Sequence, residues 1–329
     1  MGIFNINEKR YDITFISRKD SAHFAEPILS ELKKKYSIQY LSPEHKYQYN
    51  HWQVKGEIIW VEWAHKFARE VSKKKWKNKK VIVRLHRYEI DTIYMDSIKW
   101  ENIDLLIFVN PELENLFKNK YKDVVQTITI PNALDISKFP YNKPTKENNI
   151  LAYSMFFSPV KAYDQLIKIF SNIININTDL YLTIVAQESE NIEHQQYFHD
   201  CKNLVMNLNL DDNIKLISIN DDEEILKILL KNNAIISYSN LESFHYAFAE
   251  GLLSGLEGFC RGWRQLEPSY FWKDWCYFNE KDFINAVIKW SNRPLKDRVE
   301  NSKKNREYII NNYSSSVISK IYENYLSLS

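Results

Sequence analysis

The sequence predicts an α/β protein made of two doubly wound parallel-sheet domains. Three observations predict it. Short apolar runs suited to buried strands alternate with helical periodicity through the first half of the chain. The alternation restarts near residue 149. Between the halves, residues 130–149 carry three prolines, several asparagines and charges, and no periodicity, as an interdomain linker does. A length of 329 residues exceeds one typical core, and a hydrophobic content of 44% can fill two.

In the first half, residues 13–17 (ITFIS), 37–41 (SIQYL), 57–63 (EIIWVEW), 81–86 (VIVRLH) and 105–110 (LLIFVN) read as strands. Residues 22–35 and 64–74 read as helices, the first with Pro27 in its opening turn. In the second half, residues 149–154, 180–186, 214–218 and 234–239 read as strands. Helices follow them at 162–173, 192–208, 222–232 and after Phe244. From about residue 281 the chain reads as helix, ending in SSSVISKIYENYLSL with apolar positions at helical spacing. The predicted divisions are 1–141, 149–312 and a final helix, 313–329.

Composition excludes several classes. With 44 basic and 42 acidic residues the net charge is +2, which does not argue for nucleic acid. Cys201, Cys260 and Cys276 have no metal-ligand spacing and read as free thiols in a reducing cytoplasm. The first residues lack the apolar core of a signal peptide, and no apolar run approaches the ~20 residues of a membrane span. Aromatic residues are abundant (21 Tyr, 17 Phe, 9 Trp), which fits carbohydrate-binding faces and equally fits an Asn-, Ile- and Lys-rich composition.

Only six glycines occur, and Gly251, Gly255, Gly258 and Gly262 crowd into one region, where backbone is expected to come close to something. Just before them, LESFHYAFAEGLLSG places Glu242 and Glu250 either side of seven residues, at the carboxyl end of a strand and in the next helix. Ligands of open parallel sheets bind at that edge. The helix N-terminus favours phosphate, and a carboxylate can accept bonds from vicinal hydroxyls. The same spacing also fits two solvated helix glutamates.

The run from Ser239 to Gly255 resembles the donor-site signature of retaining glycosyltransferases of the family-4 type. Ser239, Glu242, Phe244, Glu250 and Gly255 fall in register with it. IPNALDISKF (130–139) and SPVKAYDQLI (158–167) are similar to that family's interdomain and lysine segments, and VIVRLHRYE (81–89) to its strand ending in histidine. The likeness spans about residues 57–329. It implies the GT-B fold: two Rossmann-like doubly wound domains, an acceptor domain first and a nucleotide-sugar domain second, with a cleft between them and the last helix packed back on the first. It implies that Glu250 holds a donor ribose, Glu242 contacts the donor sugar, Lys161 neutralises the pyrophosphate and His86 sits near the anomeric carbon. The segment Ser243, Phe244, His245 and Tyr246 would cradle sugar and phosphate.

The chain departs from the pattern in places. The family's phosphate arginine is missing, with Phe156 in its place, which leaves Lys161 alone or with another arginine such as Arg261 or Arg264. The Gly-Phe-Gly loop is Ser243-Phe244-His245. No Asp-x-Asp triplet occurs, so a metal is not required. Arg84 and Arg87 are candidates for acceptor or phosphate, and Glu62 for an acceptor ligand or base. The run KKKWKNKK places six lysines, Lys73 to Lys80, around Trp76, which suits an anionic membrane or a solvated helix end.

The resemblance implies a metal-independent, retaining transferase moving a sugar from a UDP- or GDP-linked donor to a glycan or lipid-linked acceptor. Surface polysaccharide assembly in the cytoplasm, at the inner membrane face, is the expected setting. A sugar-nucleotide epimerase, or a non-catalytic partner keeping the fold, is the alternative.

Overall fold

The computed structural model describes residues 10–42, 54–262 and 272–327. They divide into two compact units: the chain through Asp135 together with the tail from Tyr313, and the span Ile136–Asn312.

The first unit carries β1 (Tyr11–Ile16), α1 (Glu26–Leu32), β2 (Ile38–Leu41), β3 (Gly56–Glu62), α2 (Lys66–Ser72), β4 (Lys80–Leu85), β5 (Leu105–Phe108), α3 (Pro111–Tyr121) and β6 (Thr127–Thr129). The strands form one parallel sheet in the order β2-β1-β3-β4-β5-β6. Alternate residues supply two cores. Ile58, Trp60, Ile82 and Ile107 pack with Ile28, Leu29 and Leu32 of α1. Ile59, Val61, Val83 and Phe108 pack with Phe67 and Val71 of α2 and with Leu113 and Phe117 of α3. Burial on both faces is why these strands read as near-continuous apolar runs. Sequence reading passed over α3 and β6. Asn110 caps α3 by accepting from the Glu112 amide at 2.8 Å, ahead of Pro111.

The second unit runs β7 (Asn149–Phe156), α4 (Tyr163–Ile174), β8 (Tyr181–Gln187), α5 (Ile192–Asn207), β9 (Ile214–Ile219), α6 (Asp222–Leu229), β10 (Ala234–Ser237), α7 (Tyr246–Leu253), β11 (Glu257–Arg261), β12 (Cys276–Tyr277), α8 (Glu280–Ser291) and α9 (Leu295–Tyr313). Its parallel sheet has the order β12-β11-β10-β7-β8-β9. Counted from its own first strand this is 3-2-1-4-5-6, so strand order reverses between β7 and β10.

The tail returns to the first unit as α10 (Ser315–Glu323). Leu134 bonds to Tyr313 and Ser315 through backbone, and Ile318, Tyr322 and Leu326 enter the core beside α1. Tyr322 stacks on Trp60 with ring centroids 4.7 Å apart.

The segment read as a linker is strapped to the second unit from residue 139 onward. The Asn142 amide donates to Ser254, and the Thr145 amide to the Asn233 side chain, both at 2.8 Å. Arg306 donates to the carbonyl of Phe139 at 2.9 Å, and Arg298 to that of Glu147 at 3.0 Å.

The crowded glycines lie where backbone comes close to packed neighbours. A Cβ on Gly251 would stand 2.8 Å from the Ile235 side chain, so this glycine lets α7 lie close on β10. Gly255 has φ +91° and turns the chain out of α7 against the Tyr141 ring. Replacing Gly251 with Val therefore overpacks the helix–strand contact. The variant should lose about 1–3 kcal/mol, read as a lower urea midpoint for the second unit. An unchanged midpoint would show that α7 has room to shift.

Candidate functional site

The reversal point of the second sheet brings two of the predicted residues, Lys161 and Glu242, into contact. After β7 the chain makes a 3-10 turn, Pro159–Lys161, and enters α4 through Ala162. After β10 it runs through Ser239, Asn240 and Glu242 before α7. The two loops are stapled together. The Asn240 amide donates to the Val160 carbonyl at 2.8 Å. Lys161 Nζ pairs with Glu242 Oε1, and Ser239 Oγ donates to that same oxygen at 2.9 Å. Burial alone would raise the Glu242 carboxyl; the Lys161 ammonium and these bonds outweigh it and hold the group below the ordinary glutamate range. Glu242 is thus an ion, and the charge of Lys161 is met within the protein.

Glu250 lies on α7, half-buried, and accepts a hydrogen bond from the Tyr153 hydroxyl at the end of β7. Tyr153 was missed in sequence, because its link to a glutamate 97 residues away has no local signal.

His245 caps α7 in the left-handed conformation, φ 56° and ψ 64°. Ala162 caps α4 the same way, φ 50° and ψ 40°. His245 stands at the second glycine of the resembled Gly-Phe-Gly loop, and both residues hold a conformation that costs a residue with a Cβ about 1 kcal/mol or more. The His245 ring turns inward. Its Nδ1 lies 2.7 Å from Ser237 Oγ and its Nε2 3.9 Å from Cys260 Sγ. Burial, opposed by Glu242, lowers its pKa to about 4, so the imidazole is neutral. The Phe244 ring is core, packed on Trp272, whose indole N–H donates to the Phe244 carbonyl at 2.9 Å. Tyr246 meets Phe244 edge-on, and Ser243 is half-buried between Glu242 and Phe244.

Of the substitute arginines, Arg261 ends β11 and bonds to the side chains of Gln165 and Asn240, at 2.8 and 2.7 Å. Arg264 lies outside the described residues.

In the first unit the carboxyl edge holds a buried polar network. Glu62 Oε1 accepts from Arg84 Nη1 at 2.6 Å and meets His86 Nε2 at 2.8 Å. Arg84 also donates to the Asn132 side chain. Burial and the neighbouring Arg84 lower the His86 pKa against the pull of Glu62. Its ring lies 4.1 Å from that of Trp63, a residue held at φ 78°. Glu62, read as a candidate acceptor ligand or base, and Arg84, read as a candidate for acceptor or phosphate, are fully buried and paired with each other. Arg87 pairs with Asp91 at 3.3 Å.

No protein-family model matches the chain, and no curated protein matches it. Solved structures do. Sucrose-phosphate synthase from Thermosynechococcus elongatus aligns over 96% of this chain and 98% of its own, with TM-score 0.76 and 13% identity. A glycosyltransferase from Rickettsia africae aligns over 97% and 98%, with TM-score 0.69 and 15% identity. HepE from Anabaena, solved with UDP and glucose, aligns over 97% and 100%, with TM-score 0.66 and 12% identity. The chain therefore has the two-domain α/β fold of these glycosyltransferases.

The His245 geometry fixes a pH dependence. The unfolded chain takes up a proton near pH 6.5, whereas the folded ring does so only near pH 4. Stability from this group is complete above pH 6.5 and is lost as pH falls toward 4. Between pH 7 and pH 5 the loss is about 2 kcal/mol. His245→Gln should flatten that part of the pH profile in urea unfolding; an unchanged slope would mean the ring is protonated in the fold.

Proposed function

We propose that this chain is a nucleotide-sugar glycosyltransferase that transfers with retention and without a metal. The observation that carries the reading is the pairing of Lys161 with Glu242 at the reversal point of a 3-2-1-4-5-6 sheet, with Glu250 on the helix that follows and bonded to Tyr153 of β7. Dinucleotides and sugar nucleotides are suited to that place, since the loops and the helix N-terminus present amides to phosphate. The full-length likeness in fold to glycosyltransferases supports it, and the UDP in the HepE structure makes UDP the first probe.

In this reading Glu250 accepts bonds from the donor ribose, with Tyr153 orienting its carboxylate. The amides of Ser243, Phe244, His245 and Tyr246 cradle the sugar and phosphate. Cleavage of the sugar–phosphate bond leaves negative charge on the diphosphate, and Lys161 and the start of α7 stabilise it. Lys161 can do so by sharing its ammonium between Glu242 and the departing phosphate. Glu242 then holds Lys161 in place and contacts the donor sugar. His86, neutral and held by Glu62, is a hydrogen-bonding group at the edge of the first unit, which would serve the acceptor.

The acceptor is proposed to be a glycan or lipid-linked glycan used in surface polysaccharide assembly, met at the cytoplasmic face of a membrane. Among the described residues no helix is long and apolar enough to cross a membrane. Lys73, Lys74, Lys75 and Lys77 are exposed and would supply the contact with anionic lipid. Trp76 would not insert. Its indole N–H donates to the Val71 carbonyl at 3.0 Å, and its ring packs against the first unit's core.

A second reading, a nucleotide-binding partner without activity, is favoured by one observation: the charge of Lys161 is already met by Glu242. Turnover decides between the two. With UDP- and GDP-sugars, the transferase reading expects nucleotide release that rises with acceptor; binding without release favours the partner. Glu250→Ala should weaken nucleoside diphosphate binding about tenfold to a hundredfold, measured by calorimetry. Unchanged affinity would remove Glu250 from the ribose. Lys161→Ala should lower turnover more than it raises KM, and wild-type turnover would exclude it from the chemistry.

A further inference from the structure

We infer that Arg261 is the arginine that binds the donor's diphosphate, a role that rests on the nucleotide reading above. A diphosphate brings at least two negative charges to the carboxyl edge of the second sheet. Lys161 is shared with Glu242, and Phe156, which stands where the resembled pattern has arginine, stacks on His194 with ring centroids 5.4 Å apart and offers no donor. A further cation is needed at the same edge.

The arginines described in the second unit differ in what they do. Arg293 is paired with Glu257 at 2.8 Å. Arg298 and Arg306 are committed to carbonyl groups, Arg298 at Glu147 and Ser291 and Arg306 at Phe139 and Leu253. Arg261 bonds through Nη1 alone, to two neutral amide oxygens, and has no carboxylate partner among the described residues. Its guanidinium lies over the Tyr238 ring, 4.8 Å from the centroid.

These contacts place and hold the charge without cancelling it. Gln165 belongs to the first turn of α4, directly after the Lys161 turn. Asn240 bonds by its amide to Val160, the residue before Lys161. The guanidinium is thus tied to both loops that carry Lys161 and Glu242. A planar fork with Nε and Nη2 uncommitted is suited to phosphate oxygens.

Binding of UDP and of uridine, and of GDP and guanosine, should be measured by calorimetry for wild type, Arg261→Gln and Arg261→Lys. Arg261→Gln should weaken the diphosphates about tenfold or more, leave the nucleosides unchanged and flatten the salt dependence. Arg261→Lys should recover part of the loss. Equal diphosphate affinity in Arg261→Gln overturns the inference, and so does an equal loss for nucleoside, which marks a loop staple. If Arg261→Gln does not fold, Asn240→Ala and Gln165→Ala release the guanidinium, and an unchanged ratio of diphosphate to nucleoside affinity overturns it as well. Wild type that binds no nucleotide removes the nucleotide reading and this inference together. Binding that depends on Glu250 and not on Arg261 removes this inference alone.

Discussion

The second unit's edge depends on one ion pair, Lys161 with Glu242. Its side chains are 25% and 18% exposed, so neither charge is fully hydrated and neither is sealed from water. Such a pair adds little net stability, because desolvation offsets most of the Coulomb attraction. What it does is geometric. It joins a turn after β7 to a loop after β10, two segments 81 residues apart that flank the point where strand order reverses. Asn240 and Ser239 add neutral bonds to the same junction. Removing either charge would leave the other half-buried and unpaired, and the two loops would lose their common register. The pair also sets the electrostatics of any anion bound there, since the lysine's charge arrives already balanced.

The first unit solves a similar problem with deeper burial. Glu62 and Arg84 are both fully buried, and each also bonds a neighbour, Trp60 at 3.2 Å for Glu62 and Asn132 for Arg84. Buried charges are tolerated when their remaining lone pairs and protons are met, and this network engages both oxygens of Glu62 and both terminal nitrogens of Arg84. Trp60 in turn stacks on Tyr322 of α10, so the last helix covers the aromatic that supports the glutamate. The imidazole of His86 is therefore positioned through a chain of contacts that begins in the C-terminal tail.

Much of the fold was legible because parallel strands buried on both faces leave near-continuous apolar runs, as in residues 57–63 and 180–186. Strands β6 and β12, at three and two residues, are too short to leave such a trace. The helix read at 22–35 contracts to Glu26–Leu32, with Pro27 in its first turn as anticipated. The glycine cluster marked a close approach of backbone without saying to what, and Ile235 is what Gly251 approaches. At the site, strand and helix order pointed to the edge that carries Glu242 and Glu250, and only the resemblance pointed to Lys161. Neither could show that the lysine is paired, that Tyr153 holds Glu250, or that Glu62 and Arg84 bond each other instead of solvent.

The two left-handed helix caps carry this point further. Ala162 and His245, the latter at the second glycine of the resembled Gly-Phe-Gly loop, both hold a left-handed backbone. The strain is held by the surroundings. Ala162 is fully buried at the start of α4, and the His245 ring is fastened to Ser237 and set against Cys260. The imidazole points back into the sheet and is kept neutral there by burial. The loop thus holds a left-handed turn without glycine, with the imidazole bonded to Ser237 and packed beside Cys260.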